Sequence, residues 1–180
     1  MEKKELKKRY IAKSCCELFS KNGFANISVA TIAHNAGVGK GTIYGYFEKK
    51  EDIILELMEC LQEEYDTNLT LTSLEAKTPY EQLLALFEIF LSDDEKLTMQ
   101  KDIYKQFLMV SFVSPTEAIL QYHENLRNKY IQVIEKISQQ YNGALIFDTI
   151  IGFFTVSITT NNYDLRSNIT NYLNLIGGTH

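Results

Sequence analysis

The chain has 180 residues, 45% hydrophobic and 23% charged, which is enough to bury the core of one domain or two small ones. No stretch approaches ~18–20 uncharged apolar residues, which excludes a membrane-spanning helix, and the opening MEKKELKKRY lacks the apolar centre of a secretory leader. The net charge of −5 hides a division: residues 1–50 carry ten Lys/Arg against four Asp/Glu, and the remainder eight against nineteen. A basic end on an acidic body either meets a polyanion or is a solvated lysine-rich helix.

In chain order, residues 3–21 read as one helix with Ile11, Cys15, Leu18 and Phe19 on its inner face. Cys15, Cys16 and Cys60 are an odd number with no zinc spacing, so reduced, packed thiols and a cytoplasmic location are expected. ISVATIAHNAG (27–37) is a short helix: Ser28 caps it, Ile27 staples onto Ile32, and Gly37 ends it where a left-handed residue is wanted. GVGKGTIYGYF (37–47) then packs glycines, Lys40 and Thr42 together, a mixture that points to phosphate.

The phosphate is not a nucleotide's. A P-loop aligned on Gly39-Lys40 meets His34 where its first glycine belongs and Gly41 in place of Ser/Thr. The dinucleotide fingerprint fails at Thr42, and a helix rather than a strand precedes the glycines. Two short helices joined by a glycine turn make a helix-turn-helix. Ala33 permits close crossing, Val38 fills the turn, and Ile43 and Phe47 hold the second helix to the core. Lys40, Thr42, Tyr44 and Tyr46 are left to face outward, as a DNA major groove requires.

Further helices follow. Residues 51–68 carry an apolar stripe through Ile54, Leu57, Met58, Leu61 and Tyr65. TPYE (78–81), SDDE (92–95) and SPTE (114–117) each match a capping box, two with proline at the first helical position. SCCE (14–17) matches too but falls inside the first helix. Stripes run through Leu83, Leu86, Phe87, Phe90 and Leu91, then Tyr104, Phe107, Leu108 and Ser111, then from Ile119 to Tyr141. The helix at about 144–160 is apolar nearly all round and needs cover on two sides. A second subunit is the economical cover, joined by a last helix through Leu165, Ile169, Tyr172, Leu173 and Ile176.

LFSKNGFANISVATIAHNAGVGKGTIYGYFEKKEDI (18–53) closely resembles the DNA-binding domain of the tetracycline-repressor (TetR) family, a likeness covering about the first 55 residues. The resemblance implies an all-α protein. Residues 1–50 would form a three-helix helix-turn-helix DNA-binding domain, and 51–180 an effector-binding and dimerisation bundle. It further implies a cytoplasmic homodimer on a palindromic operator, most simply a repressor released by a small-molecule effector, with no cofactor, metal or membrane partner. In the implied contacts, Ser28 touches phosphate while capping its helix, and Lys40, Gly41 and Thr42 lie nearest the base edges. Tyr44 and Tyr46 bond the backbone, and Lys50 binds phosphate. Gly45 and Lys49 depart from the family, the first where many members place a DNA-reaching side chain, the second where a small capping residue is common.

For the arm of Lys3, Lys4, Lys7, Lys8 and Arg9, phosphate contact and simple solubility stand equal. Met58, Tyr104, Phe107, Tyr122 and His123 either line an effector cavity or are ordinary core. Phe147, Ile151, Phe154, Ile158, Ile169, Tyr172, Leu173 and Ile176 are the expected dimer interface. Asp148, inside the apolar helix, faces water, meets a cationic ligand or bonds across the dimer. His34, His123 and His180 stand in no metal-ligand spacing or nucleophile arrangement, so an enzyme is not expected. The competing reading is a ligand-independent regulator whose acidic body recruits another protein.

Overall fold

The computed structural model describes the backbone of residues 3–73 and 78–177, and the side chains of 3–68 and 78–177. Within these residues every regular element is helical. The N-terminal part runs α1 (Lys3–Ser14), α2 (Cys16–Asn22), a 3₁₀ turn (Phe24–Asn26), α3 (Val29–Asn35), α4 (Lys40–Tyr44) and α5 (Lys50–Ser73). There follow α6 (Pro79–Leu86), α7 (Glu88–Leu91), α8 (Glu95–Val113), α9 (Glu117–Ile137), α10 (Gly143–Thr159) and α11 (Leu165–Gly177). No described helix is long and apolar enough to cross a membrane.

Packing divides the chain into two units. One holds Met1–Asp66 with Met99–Thr116, the other Thr67–Thr98 with Glu117–His180. The expected division at residue 50/51 is therefore not the one the contacts make. Most of α5 and α8 belong with the N-terminal helices, because the stripe of Ile54, Leu57, Met58, Leu61 and Tyr65 is buried there along with Ile103 and Phe107.

The first unit closes over Ile11, Cys15, Phe19, Ile32, Ile43 and Ile53, each 1% exposed or less. One continuous helix over 3–21 is not formed. The Ser14 Oγ and the Cys15 Sγ both donate to the Ile11 carbonyl (2.7 and 3.3 Å), and the Cys15 amide turns instead to Ala12 O at 3.0 Å. Side-chain donors competing for a helix carbonyl weaken the ladder at that point. The SCCE match thus marks a real break, although Cys15 supplies no capping hydrogen bond from its side chain.

Helix starts in the rest of the chain follow their caps. Thr78 and Glu81 form a full capping box, with Pro79 at the first helical position, as expected. The other two matches are displaced by two residues. At SDDE the Asp94 carboxylate accepts the Leu97 amide (3.1 Å), so α8 starts at Glu95 and Ser92 serves only the Asp94 amide. At SPTE the Ser114 amide closes α8 on Val110 O (2.8 Å), Pro115 stops that helix, and α9 begins at Glu117.

The second unit is held by an aromatic and aliphatic core. Phe87 packs on Tyr130 (ring centroids 6.0 Å apart), Tyr130 on Phe147 (5.3 Å) and Phe90 on Phe154 (4.8 Å). Helices α9 and α10 approach so closely at Gly143 that a Cβ there would lie 2.7 Å from Ile131 O. Phe147, Phe154, Ile169 and Leu173, expected between subunits, are instead interior, all 6% exposed or less. Of that set only Ile151, Ile158, Tyr172 and Ile176 stay half-buried. The open apolar positions are Leu145 and Val156 on α10 and Leu175 on α11 (60, 42 and 72% exposed). A helix apolar on nearly every side gives no periodic signal for which side its own bundle takes.

Candidate nucleic-acid interface

The two short helices owe their geometry to backbone devices, since seven and five residues are too few to hold a helix unaided. Ser28 accepts the Thr31 amide at 3.1 Å, and Ile27 and Ile32 on either side of this cap are both buried. At the other end Gly37 adopts φ +64°, its amide bonding His34 O (3.1 Å) and that of Val38 bonding Ala33 O (2.9 Å). That is a complete Schellman closure, for which a residue with a side chain is poorly suited. The turn delivers the chain to Gly39 and α4, whose Ile43, with Phe47 just beyond, enters the core at 1 and 3% exposure.

With its inner side spent on Ile43, α4 presents Lys40, Gly41, Thr42 and Tyr44 to solvent, Tyr44 at 54% exposure, and Tyr46 stands half-exposed just after it. Ser28 is also exposed. Beside Tyr46 lies an open basin of about 680 Å³ walled by Lys3, Lys4, Leu6, Lys7 and Tyr10. Lys7 holds its ammonium 4.6 Å from the Tyr10 ring centroid. The basin extends the outward amines and hydroxyls of α4 onto α1. Tyr10 is the member that sequence reasoning missed, since a tyrosine at the edge of a helix stripe reads as core.

The remaining basic residues of the arm have structural partners. Lys8 pairs with the buried Glu56 at 2.5 Å, and Arg9 binds both oxygens of Glu63 (3.0 and 2.5 Å). Lys13 pairs with Glu64. Burial alone would lower the Lys8 pKa; the Glu56 hydrogen bond and charge outweigh it and leave the group raised. Arg9 holds the Glu63 carboxyl below its ordinary range. Part of the N-terminal charge excess therefore fastens α1 to carboxylates along α5.

Lys50 departs furthest from expectation. Its Nζ donates to the carbonyls of Phe24 (2.8 Å), Ala25 (3.4 Å) and Ile27 (2.9 Å), and lies 4.3 Å from the Phe24 ring centroid. The ammonium ties the 3₁₀ turn to α5 instead of facing outward with Lys40. The start of α5 has its own correction. Lys49 brings no cap, but the Asp52 carboxylate reaches back to the amides of Glu48 (3.1 Å) and Lys49 (2.9 Å). This is the returning half of a capping box, supplied without its Ser/Thr partner.

The residues expected around an effector fall in both units. Met58, Tyr104 and Phe107 are buried in the first; Tyr122 and His123 are half-buried in the second, with their rings edge-on at 5.8 Å. Burial lowers the His123 pKa. Asp148 is exposed and takes a two-pronged hydrogen bond from Arg127 (2.8 and 2.7 Å), a partner on α9 in its own unit. His180 lies outside the described residues. Among the described residues no His/Cys/Asp/Glu group is arranged to hold a metal.

Two short helices, the first capped by Ser28, a tight glycine closure and an outward row of amine and hydroxyl groups define a helix-turn-helix of the DNA-binding class. The model of the family described as bacterial regulatory proteins, tetR family, matches residues 11–57, which run from α1 into α5. The chain is 41% identical over 59 residues to the fatty acid metabolism regulator protein of Bacillus subtilis (strain 168), covering 33% of this chain and 30% of that one. It is 29% identical over 89 residues to the HTH-type transcriptional regulator BetI of Brucella canis, covering 49 and 45%. It thus spans less than half the length of either curated relative. The fold matches the crystal structure of a TetR-family transcriptional regulator from Cytophaga hutchinsonii with a TM-score of 0.76 at 18% identity, over 99% of this chain and 96% of that one. Residues 11–57 thus carry the DNA-binding segment that the tetR family of bacterial regulatory proteins shares, and the whole chain has the fold of a TetR-family regulator.

Proposed function

We propose that this protein is a transcriptional repressor that binds a palindromic operator as a homodimer and leaves it when a small-molecule effector binds. The observation that carries the DNA half is the outward row of Lys40, Thr42, Tyr44 and Tyr46, on a helix whose opposite side is locked into the core. Lys40, Gly41 and Thr42 read base edges, where a lysine or hydroxyl meets the acceptors of the major groove. Ser28, Tyr44 and Tyr46 take phosphates, joined by Lys3, Lys4 and Lys7 of the neighbouring basin. The Lys50 side chain is left out of this set because its ammonium is turned to the carbonyls of Phe24 and Ile27.

The subunits join through the open side of α10 and α11, where Leu145, Val156 and Leu175 expose apolar surface that water disfavours. A two-fold dimer places its reading helices one turn of DNA apart or a multiple of it, so a small rotation misplaces one when the other is seated. The effector acts by favouring the misplaced state, and its differential affinity limits the response. The likeness of the fold to a transcriptional regulator from Saccharomonospora viridis solved in complex with choline supports the effector half.

Selection of bound sequences from a random duplex pool tests the proposal, with wild type and Lys40→Ala run in parallel. An inverted repeat enriched by wild type and weakened in the variant is expected. Enrichment of no sequence by wild type would defeat it.

A further inference from the structure

A cavity of about 480 Å³ opens in the first unit between the 3₁₀ turn, the start of α5 and the last turns of α8, within the size range of small-ligand sites. Its wall is apolar: Phe24, Met109, Val110 and Val113. On the neighbouring surface Met109, Phe112 and Val113 are 51, 72 and 78% exposed, a run of large apolar side chains within two turns of one helix. Isolated exposed apolar residues are ordinary, but a contiguous group beside a cavity marks a binding surface.

The cavity also has a charge preference. Lys50 and Lys105 are among its lining residues, with Glu51 the one acidic member. Lys50 is half-buried, and its ammonium is held by three neutral carbonyls, with no carboxylate among the described residues at hydrogen-bond distance. A positive charge set in a largely apolar wall, where water is partly excluded, attracts an anion more strongly than it would in water.

We propose that this cavity binds an amphiphile with an apolar chain and one anionic head, the chain lying along Met109, Val110 and Val113 and the head meeting Lys50 and Lys105. Binding reaches the reading helices through Lys50. That ammonium holds the carbonyl of Ile27, the residue before the Ser28 cap of α3. A second clamp sits beside it: Gln106 of α8 donates to Phe19 O (2.8 Å) and accepts the Phe24 amide (2.5 Å). An anion that draws Lys50 toward the cavity loosens the strap in front of α3 and weakens DNA binding. This consequence rests on the repressor reading above, whereas the binding itself does not.

The test uses the full chain with ¹³C-methyl methionine and three ten-carbon probes, each below its micelle concentration: decanoate, decanol and decyltrimethylammonium. Decanoate should shift the Met109 methyl saturably, and the ammonium probe should bind at least about tenfold more weakly, the ratio that ~1.4 kcal/mol gives. Val113→Glu, at an exposed wall position, should keep the unfolding midpoint and lose at least about tenfold in decanoate affinity. Lys50→Met should bring the affinities of the three probes together. An unmoved Met109 methyl, equal binding of all three probes by wild type, or undiminished binding by Val113→Glu would overturn the site. Saturable binding by a chain with no DNA affinity would uphold the site and remove the repressor reading instead. Decanoate that binds at Met109 yet leaves DNA affinity unchanged would overturn the coupling.

Discussion

The short helices of the first unit and the long helices of the second are held in different ways. In the first, helices of five and seven residues stand because particular groups hold particular backbone atoms: Ser28 on Thr31, Gly37 in its left-handed turn, Asp52 on Glu48 and Lys49, Lys50 on three carbonyls. In the second, helices of up to 21 residues meet through Phe87, Tyr130, Phe147 and Phe154, and area does the work. A helix that must keep one side free has little apolar surface of its own to bury, so local polar devices set α3 and α4 on a core that α1, α2, α5 and α8 supply. The bundle has no such constraint. Its stability is spread over many contacts, and its surface is free to carry open apolar faces.

The largest effect should come from the second unit's core. Phe87→Ala, at a position with no exposure, should cost about 3–5 kcal/mol, read as a fall in the urea midpoint. A midpoint within error of wild type would show that the bundle does not depend on this aromatic centre. In the first unit the corresponding test is electrostatic. Lys8→Met strands the carboxylate of Glu56, whose side chain is 2% exposed. The expected cost is about 2 kcal/mol, below the usual penalty for a broken buried pair because Lys8 is itself a third exposed. Adding Glu56→Gln should restore part of the loss; a double variant no more stable than Lys8→Met would contradict the pairing.

Smaller effects separate one glycine from another. Gly37→Ala forces a side chain into φ +64° and should cost about 1 kcal/mol, whereas Gly39→Ala, at φ −72° with only Thr42 Oγ1 nearby at 3.7 Å, should be nearly neutral. Equal costs would mean that the closure of α3 does not need its left-handed residue. The smallest effect concerns the thiols. Burial pushes Cys15 and Cys60 up to about 11. Above pH 9 the unfolded chain releases protons that the folded chain keeps, so stability should fall as pH rises from 9 to 11. The slope should be shallower in Cys60→Ala. Neither thiol should react with a disulfide reagent at pH 8 until the chain unfolds.

The same contrast explains what the sequence made legible. Ser28 and Gly37 were readable because a cap and a left-handed terminus each demand a narrow set of residues at a fixed offset. Thr78, Pro79 and Glu81 were readable for the same reason. Ser92 and Ser114 misled because Asp94 competes for the same role and because Pro115 can end one helix as well as begin another. Lys50 reads as outward because nothing in a sequence shows that three carbonyls converge on one ammonium from residues more than twenty positions away. Phe147, Phe154, Ile169 and Leu173 read as lying between subunits because an all-round apolar helix does not announce which side is already covered. Local rules were legible, then, and choices made by tertiary packing were not.

The central claim is that α4 reads DNA with a side free of structural duty. It is tested most directly by titrating wild type and Lys40→Ala against the best duplex recovered from the random pool, at several salt concentrations, with thermal unfolding measured alongside. Binding by the variant should be about 10- to 100-fold weaker at unchanged unfolding temperature, the usual worth of one base-edge contact. Wild-type affinity should fall with salt at a slope near −0.9 for each phosphate neutralised. Equal affinities for the two proteins, or a wild-type affinity indifferent to salt, would contradict the claim.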